Sequence, residues 1–312
     1  MEISQTLQTL DELLHRCKLA EAEQFLRDAV AQAQASGDTD TEKTLRNEQM
    51  GFYRDCGRFP EMLETAASAR ALFENASETE TIPYATTLLN CANAYRAAGQ
   101  YDAAFSAYDT VQHLYEKLLP PDDDRVAGFW NNLALLYQET EQWNESCRCL
   151  ETALTLVRNK PNNEVRVAIS STNFAVSLLQ LFQTERALEL LREADRILAG
   201  CAPSDFHYSA TLAGFGDATG RKRNTREQRI ITNRHSRKLN CTWDRTTSMR
   251  SCWTSSAEPT QQWGHHVRNS PDWNCAGAII WRLAHQCWNG SSGTSSQAGN
   301  RACRRRLGVS GI

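Results

Sequence analysis

Small and large apolar residues recur along the first 218 residues at intervals of 40 to 42 positions. One column of this repeat holds Leu10, Met50, Ala92, Ala134, Ala175 and Gly216. Twelve positions later lie Ala22, Met62, Ala104, Ser146 and Ala187, and nineteen positions later lie Ala29, Ala69, Val111, Ala153 and Ala194. Because small residues allow two helices to approach closely, each repeat is predicted to form a packed pair of helices.

Large side chains and glycines mark the predicted end of the first helix in each pair. Three residues after the first column stand Leu13, Tyr53, Tyr95, Tyr137 and Leu178. Gly57 and Gly99 follow their tyrosines by four residues, where a helix end favours a left-handed residue. We therefore predict an all-α fold over residues 1–218, with five full helix pairs and the first helix of a sixth.

The helix-pair pattern resembles the tetratricopeptide repeat family. The resemblance is carried by LNCANAYRAAGQYDAAFSAY in residues 89–108 and by WNNLALLYQETEQWNESCRCLETAL in residues 130–154. The usual period of that family is about 34 residues. The longer period here is similar to that of the long-repeat subfamilies, which include kinesin light chains and bacterial peptide-sensing regulators. The resemblance implies a right-handed superhelix of antiparallel helix pairs.

In such a superhelix the first helices line an inner groove of peptide size. Asn90, Asn132 and Asn173 recur two positions before the first column, and Asn131 stands beside the second of them. A side-chain amide both donates and accepts hydrogen bonds, so a ladder of asparagines can hold the backbone of an extended peptide. In the long-repeat subfamilies the equivalent asparagines are peptide contacts. The alternative is that these side chains bond to the neighbouring helix or loop.

A second stripe of polar residues lies four positions after the first column, at Arg54, Arg96 and Gln138. Arginines there are suited to binding the carboxylates of an acidic or C-terminal peptide. Ion pairs with neighbours such as Asp55 or Glu139 on a solvated face are the alternative. Residues 1–218 carry a net charge of −15, which favours basic or neutral protein partners over nucleic acid.

The sequence lacks the motifs of membrane insertion, secretion and common enzyme active sites, and their absence narrows the range of expected functions. There is no run of about 18 apolar residues and no signal peptide at the N-terminus, so we expect a cytoplasmic protein that is not bound to a membrane. No Gly-rich phosphate loop, HExxH or GxSxG motif occurs, and we expect neither a cofactor nor a metal. The prediction is a non-enzymatic scaffold that binds a protein or peptide partner.

The composition changes abruptly at residue 219. Residues 219–312 contain 16 Lys and Arg against 4 Asp and Glu, six of the eight tryptophans and only three leucines. No helical or strand period continues in this segment, which we predict to be a disordered or aberrant tail. Three explanations stay open: a basic nucleic-acid-binding arm, a small metal-bound domain, and translation in a shifted reading frame. The cysteine and histidine spacings do not match structural zinc sites.

The frame hypothesis is supported by the genetic code. If one base is missing after the Ala218 codon, the repeat register admits tyrosine at the positions of Thr219, Thr225 and Thr232. It also admits alanine at the positions of Gln228 and His235. Farther on, the shifted reading resembles the entry to a nucleotidyltransferase-like domain of unknown function. One alternative function is therefore the regulatory or recruiting half of a truncated enzyme, and another is nucleic-acid binding through the basic tail.

Overall fold

The computed structural model describes residues 2–16, 18–158, 160–201 and 206–221, and all regular structure in these ranges is helical. The described chain divides into two compact units, with the boundary between Ala107 and Tyr108. The predictions for the tail beyond Arg221, including its basic run and its cysteines, lie outside the described residues. For the described part, the all-α prediction with paired helices is confirmed.

The first unit contains two complete helix pairs and the first helix of a third. Its helices are α1 (Ile3–His15), α2 (Leu19–Ser36), α3 (Thr39–Asp55), α4 (Phe59–Asn75) and α5 (Ile82–Ala97). Each helix contacts the next along the chain, and α3 also contacts α5. Helix α6 (Tyr101–Leu118) contains the boundary between the units.

The second unit repeats this arrangement. Its further helices are α7 (Asp124–Glu139), α8 (Trp143–Arg158), α9 (Glu164–Gln180), α10 (Thr184–Cys201) and α11 (Phe206–Arg221). Successive helices are in contact, and the first helices of adjacent pairs also meet, α7 against α9 and α9 against α11. Contact between first helices brings their polar side chains within hydrogen-bonding distance.

The small-residue columns form the centre of the packing. The residues twelve and nineteen positions after the first column are at most 5% exposed. Met62, Ala104, Ser146 and Ala187 are fully buried in four successive pairs. A larger side chain at these places would overpack the helix pair, at a cost of about 1–3 kcal/mol. These positions are therefore buried, as the prediction of packed helix pairs requires.

Side-chain caps fix where several first helices begin. Asp38 accepts a hydrogen bond from the Thr41 backbone N–H at 3.1 Å, and Thr81 accepts one from Tyr84 at 3.3 Å. Asp123 caps α7 in the same way, through the Arg125 N–H at 2.9 Å. Such caps typically stabilise a helix by about 1 kcal/mol. Because each cap fixes the residue at which its helix begins, it also fixes the direction in which the later polar side chains of that helix point.

The turns inside the pairs share one geometry. Gly57 and Gly99 have φ of 69° and 72°, as expected from sequence. Glu141 and Phe182 occupy the equivalent turns with φ of 58° and 60°, although neither is glycine. In each turn the following N–H bonds back to the residue three positions after the first column, for example Gln183 to the Leu178 carbonyl at 2.8 Å. The capping bonds therefore impose this conformation even where the residue resists it.

We predict that Gly99→Ala destabilises the protein by about 1 kcal/mol, since a Cβ at this positive φ is strained. A Cβ at Gly99 would meet no other atom within 4 Å, so the cost would come from the backbone alone. Gly200→Ala is the matched control, because Gly200 lies in α10 with equally open space. It should raise the free energy of unfolding by about 0.5 kcal/mol. Urea denaturation of both variants measures whether the free energy of unfolding falls in the first variant and rises in the second.

Candidate functional site

Asparagine pairs connect neighbouring first helices, once in each unit. In the first unit, Asn90 Nδ2 on α5 donates to Asn47 Oδ1 on α3 at 3.0 Å. Asn47 Nδ2 in turn donates to Thr87 Oγ1 at 2.9 Å and to the Lys43 carbonyl at 3.0 Å. The Asn47 side chain is thus held in position by both helices, and it orients Asn90.

The second unit contains the same bond. Asn173 Nδ2 on α9 donates to Asn131 Oδ1 on α7 at 3.1 Å. Gln138 Nε2 donates to the Asn173 backbone carbonyl and to Ser177 Oγ, both at 2.8 Å. Ser177 also shares a 2.8 Å hydrogen bond with Ser146 Oγ on α8. Asn173 is therefore held through its side chain and its backbone by residues of α7.

The four predicted asparagines differ in exposure. Asn90 and Asn173 are partly exposed, whereas Asn131 is 5% exposed and Asn132 is fully buried. Asn132 belongs to the same sequence column as Asn90 and Asn173, but it lies within the helix packing. Of these four asparagines, one in each unit is partly exposed, and each of these two is oriented by a partner on the preceding first helix.

The predicted arginine stripe is mostly engaged within the protein. Arg54 donates from Nε to Asp55 Oδ1 at 3.0 Å, and only 13% of its side chain is exposed. Arg96 is 8% exposed. With Gln138 bound to α9, the three residues of this stripe lie mainly between helices. Any carboxylate that reached Arg54 would have to compete with Asp55.

Sequence reasoning missed Asn47 and the threonine bond farther along the array. Asn47 stands three positions before its column residue, as Asn131 does, so the pair at a spacing of 42 to 43 residues was a usable signal. Thr172 on α9 and Thr211 on α11 share a 2.7 Å hydrogen bond, at the register of the bond between Asn47 and Thr87. Polar bonds between first helices therefore continue through the last described helix.

Charged residues cluster where α7 and α9 begin. Arg125 donates from Nε and Nη2 to the two carboxylate oxygens of Asp123, at 2.8 and 2.7 Å, and these bonds lower the pKa of Asp123. Lys160 and Arg166 both pair with Asp124, at 2.8 and 3.0 Å. Burial lowers the pKa of Arg166, although Asp124 opposes that shift. Each of these three cations is paired with a carboxylate, Arg125 with Asp123 and the other two with Asp124.

Other chemistry is limited in the part of the chain that the structure describes. No group of three or more His, Cys, Asp or Glu residues there is placed to hold a metal ion. Cys91, Cys147 and Cys149 are free thiols, and burial raises the pKa of Cys91 and Cys149 to about 12. No helix among the described residues is both long enough and apolar enough to cross a membrane.

Comparison with known families identifies the repeat. Residues 85–124 and residues 125–198 each match a family model described as tetratricopeptide repeat. These two segments include the asparagines at 90, 131, 132 and 173. The chain therefore carries tetratricopeptide repeats in the region where the polar face is built. No curated protein matches the chain in sequence.

Solved structures share this fold at low sequence identity. The apo form of the quorum sensor NprR from B. thuringiensis aligns with a TM-score of 0.60 at 12% identity, covering 99% of this chain and 87% of that one. NprR in complex with its cognate peptide NprX aligns with a TM-score of 0.53 at 12% identity, covering 99% and 88%. BtubC from P. vanneervenii gives 0.59 at 14% identity, covering 81% and 98%. At such identities the likeness establishes the fold.

We predict that the bond between Asn131 and Asn173 stabilises the second unit by about 1 kcal/mol. A double-mutant cycle with Asn131→Ala and Asn173→Ala, followed by urea unfolding, measures this coupling. Asn144→Ala is the control, since Asn144 is exposed on α8 and should change stability by less than about 0.5 kcal/mol. Additive effects of the two substitutions would contradict the predicted coupling.

Proposed function

We propose that this protein is a non-enzymatic interaction scaffold that binds an extended peptide, or an extended segment of a partner protein, on its first helices. The observation that carries the proposal is the repeated asparagine pair, in which a partly exposed amide is held by an amide of the preceding first helix. The fold it shares with a sensor that binds a cognate peptide is a supporting argument.

In this proposal Asn90 in the first unit and Asn173 in the second unit are each a contact for a peptide backbone. The carboxamide Nδ2 has two protons, and the bond to the neighbouring asparagine uses one of them. An amide can therefore keep its bond within the protein while it donates to a peptide carbonyl or accepts from a peptide N–H. Recognition of this kind depends on the peptide backbone and tolerates many side chains.

The other predicted residues have supporting roles. Asn131 orients Asn173, and Gln138 fixes the backbone beside it. Asn132 packs within the first-helix layer. Arg54 and Arg96 would add carboxylate contacts for an acidic peptide, with Asp55 as the competing partner of Arg54. A rigid site loses less conformational entropy on binding, which favours affinity.

The test is a selection of a random twelve-residue peptide library on the full chain, followed by affinity measurements on the enriched peptides. We expect each enriched peptide to be weakened about tenfold, which is about 1.4 kcal/mol, by Asn90→Ala if it binds the first unit and by Asn173→Ala if it binds the second. Replacing one peptide amide by an ester should weaken binding similarly, because the backbone is the recognised group.

Asn144→Ala is the matched control and should leave affinity unchanged, since Asn144 lies on a second helix. Thermal unfolding of each variant separates a local loss of contacts from a loss of fold. Enrichment of no peptide, or equal binding by all variants, would refute a peptide-binding first-helix face.

We also propose that the reading frame changes next to Ala218, so that the gene encodes a continuation of the repeats. Helix α11 runs to Arg221, and fully buried Thr219 occupies the column of Tyr53, Tyr95 and Tyr137. The shifted frame admits tyrosine there, with alanine at the two later small-residue positions. The nucleotidyltransferase-like alternative depends on this frame, and nucleic-acid binding depends on the frame as written.

Resequencing the coding DNA across codons 210 to 230 decides between the shifted frame and the frame as written. We expect one additional base, after which the sequence reads YWAEKEY from position 219 and continues in an open frame. An unchanged frame would refute the proposal. In that case, salt-dependent nucleic-acid binding that is lost on deletion of residues 219–312 becomes the relevant assay.

A further inference from the structure

The second helices of the second unit enclose a groove that is distinct from the asparagine-bearing face. Its volume is about 330 Å³, and it lies between α8 and α10 with Phe174 of α9 among its lining residues. Pockets of roughly 300 Å³ are at the lower end of the range for ligand sites, which suits one or two side chains of a partner.

Two ion pairs connect the helices on either side of this groove. Arg186 on α10 pairs with Glu151 on α8 at 3.0 Å, and Arg158 on α8 pairs with Glu193 on α10 at 2.6 Å. The two pairs are seven residues apart on each helix, which is two helical turns. They hold the walls together at two levels and leave the space between them accessible.

The apolar lining residues suit an aliphatic chain. Leu154 and Leu190 are 4% and 9% exposed, and Phe174 is 3% exposed. The Arg186 guanidinium lies over the Phe174 ring, 4.9 Å from its centroid. A cation above an aromatic ring is already accommodated in this environment. The methylene chain of a basic side chain would find apolar contacts here.

The charges of the lining residues favour a cation. Glu151, Glu189 and Glu193 face two arginines, so the lining carries one excess negative charge. Glu151 and Glu193 are the carboxylates used in the ion pairs across the groove. Within the described chain, Glu189 has no ion pair at 4 Å or less, and it lies between the levels of the two pairs. The charge of −15 on residues 1–218 attracts basic partners over longer distances.

We propose that the groove between α8 and α10 is a second docking site, which binds a lysine or arginine side chain from a basic segment of a partner protein. Glu189 supplies the counter-charge, and Leu154, Leu190 and Phe174 contact the aliphatic part. This site uses second helices and a charged group, so its success or failure is independent of peptide binding by Asn90 and Asn173.

The probe is a pair of fluorescent six-residue peptides, identical except that one has a lysine where the other has norleucine. Fluorescence anisotropy with the full chain should show at least fivefold tighter binding of the lysine peptide. Norleucine retains the aliphatic chain and lacks the charge, so the difference reports the contribution of the cation.

Two variants locate the effect. Glu189→Gln should reduce the affinity for the lysine peptide at least fivefold, whereas Glu116→Gln should leave it within twofold. Glu116 is exposed on α6 within the second unit and is not a lining residue, so the two variants change the net charge equally. Equal affinity for the two variants, or no preference for lysine over norleucine, would overturn the proposal.

Discussion

The close approach of paired helices at their small residues is the constraint on which the rest of the structure depends. Met62, Ala104, Ser146 and Ala187 are fully buried where the two helices of a pair meet. Successive first helices are also in contact, as α7 and α9 are. Short amides can therefore span from one first helix to the next.

The two faces solve the problem of polar groups between helices differently. On the first helices, neutral amides bridge at 3.0 and 3.1 Å, and the ion pair between Asp124 and Arg166 bridges α7 and α9 where these helices begin. An uncompensated charge between these helices would be costly to desolvate. On α8 and α10, the bridging groups are exposed enough for ion pairs, since half of the Arg186 side chain and 64% of that of Glu151 are accessible. Exposed ion pairs typically contribute below about 1 kcal/mol each, so these residues can rearrange around a ligand at modest cost.

The spacing of residues alone predicted the helix pairs, because the buried column residues recur at fixed offsets that paired helices require. It could not decide which of Asn131 and Asn132 is buried more deeply, since adjacent helical residues differ by 100° in direction and the packing of the next helix sets the outcome. Asn47 escaped notice because its contribution depends on an amide 43 residues away. The left-handed turns at Glu141 and Phe182 were hidden for another reason. There the capping bonds override the preference of the residue.

Phe182 is the clearest case in which capping hydrogen bonds impose a left-handed conformation on a residue that disfavours it. The residue is 85% exposed and its φ is 60°, so it gains little from burial and bears backbone strain. The turn nevertheless keeps the geometry of Gly57 and Gly99, because the bond from Gln183 to Leu178 ends α9 at the residue where α10 must reverse direction. Shifting that end by one residue would rotate Ala187 on α10 out of its buried position. The burial of Ala187 therefore depends on the turn, and this explains why the turn keeps its geometry at a residue that disfavours it.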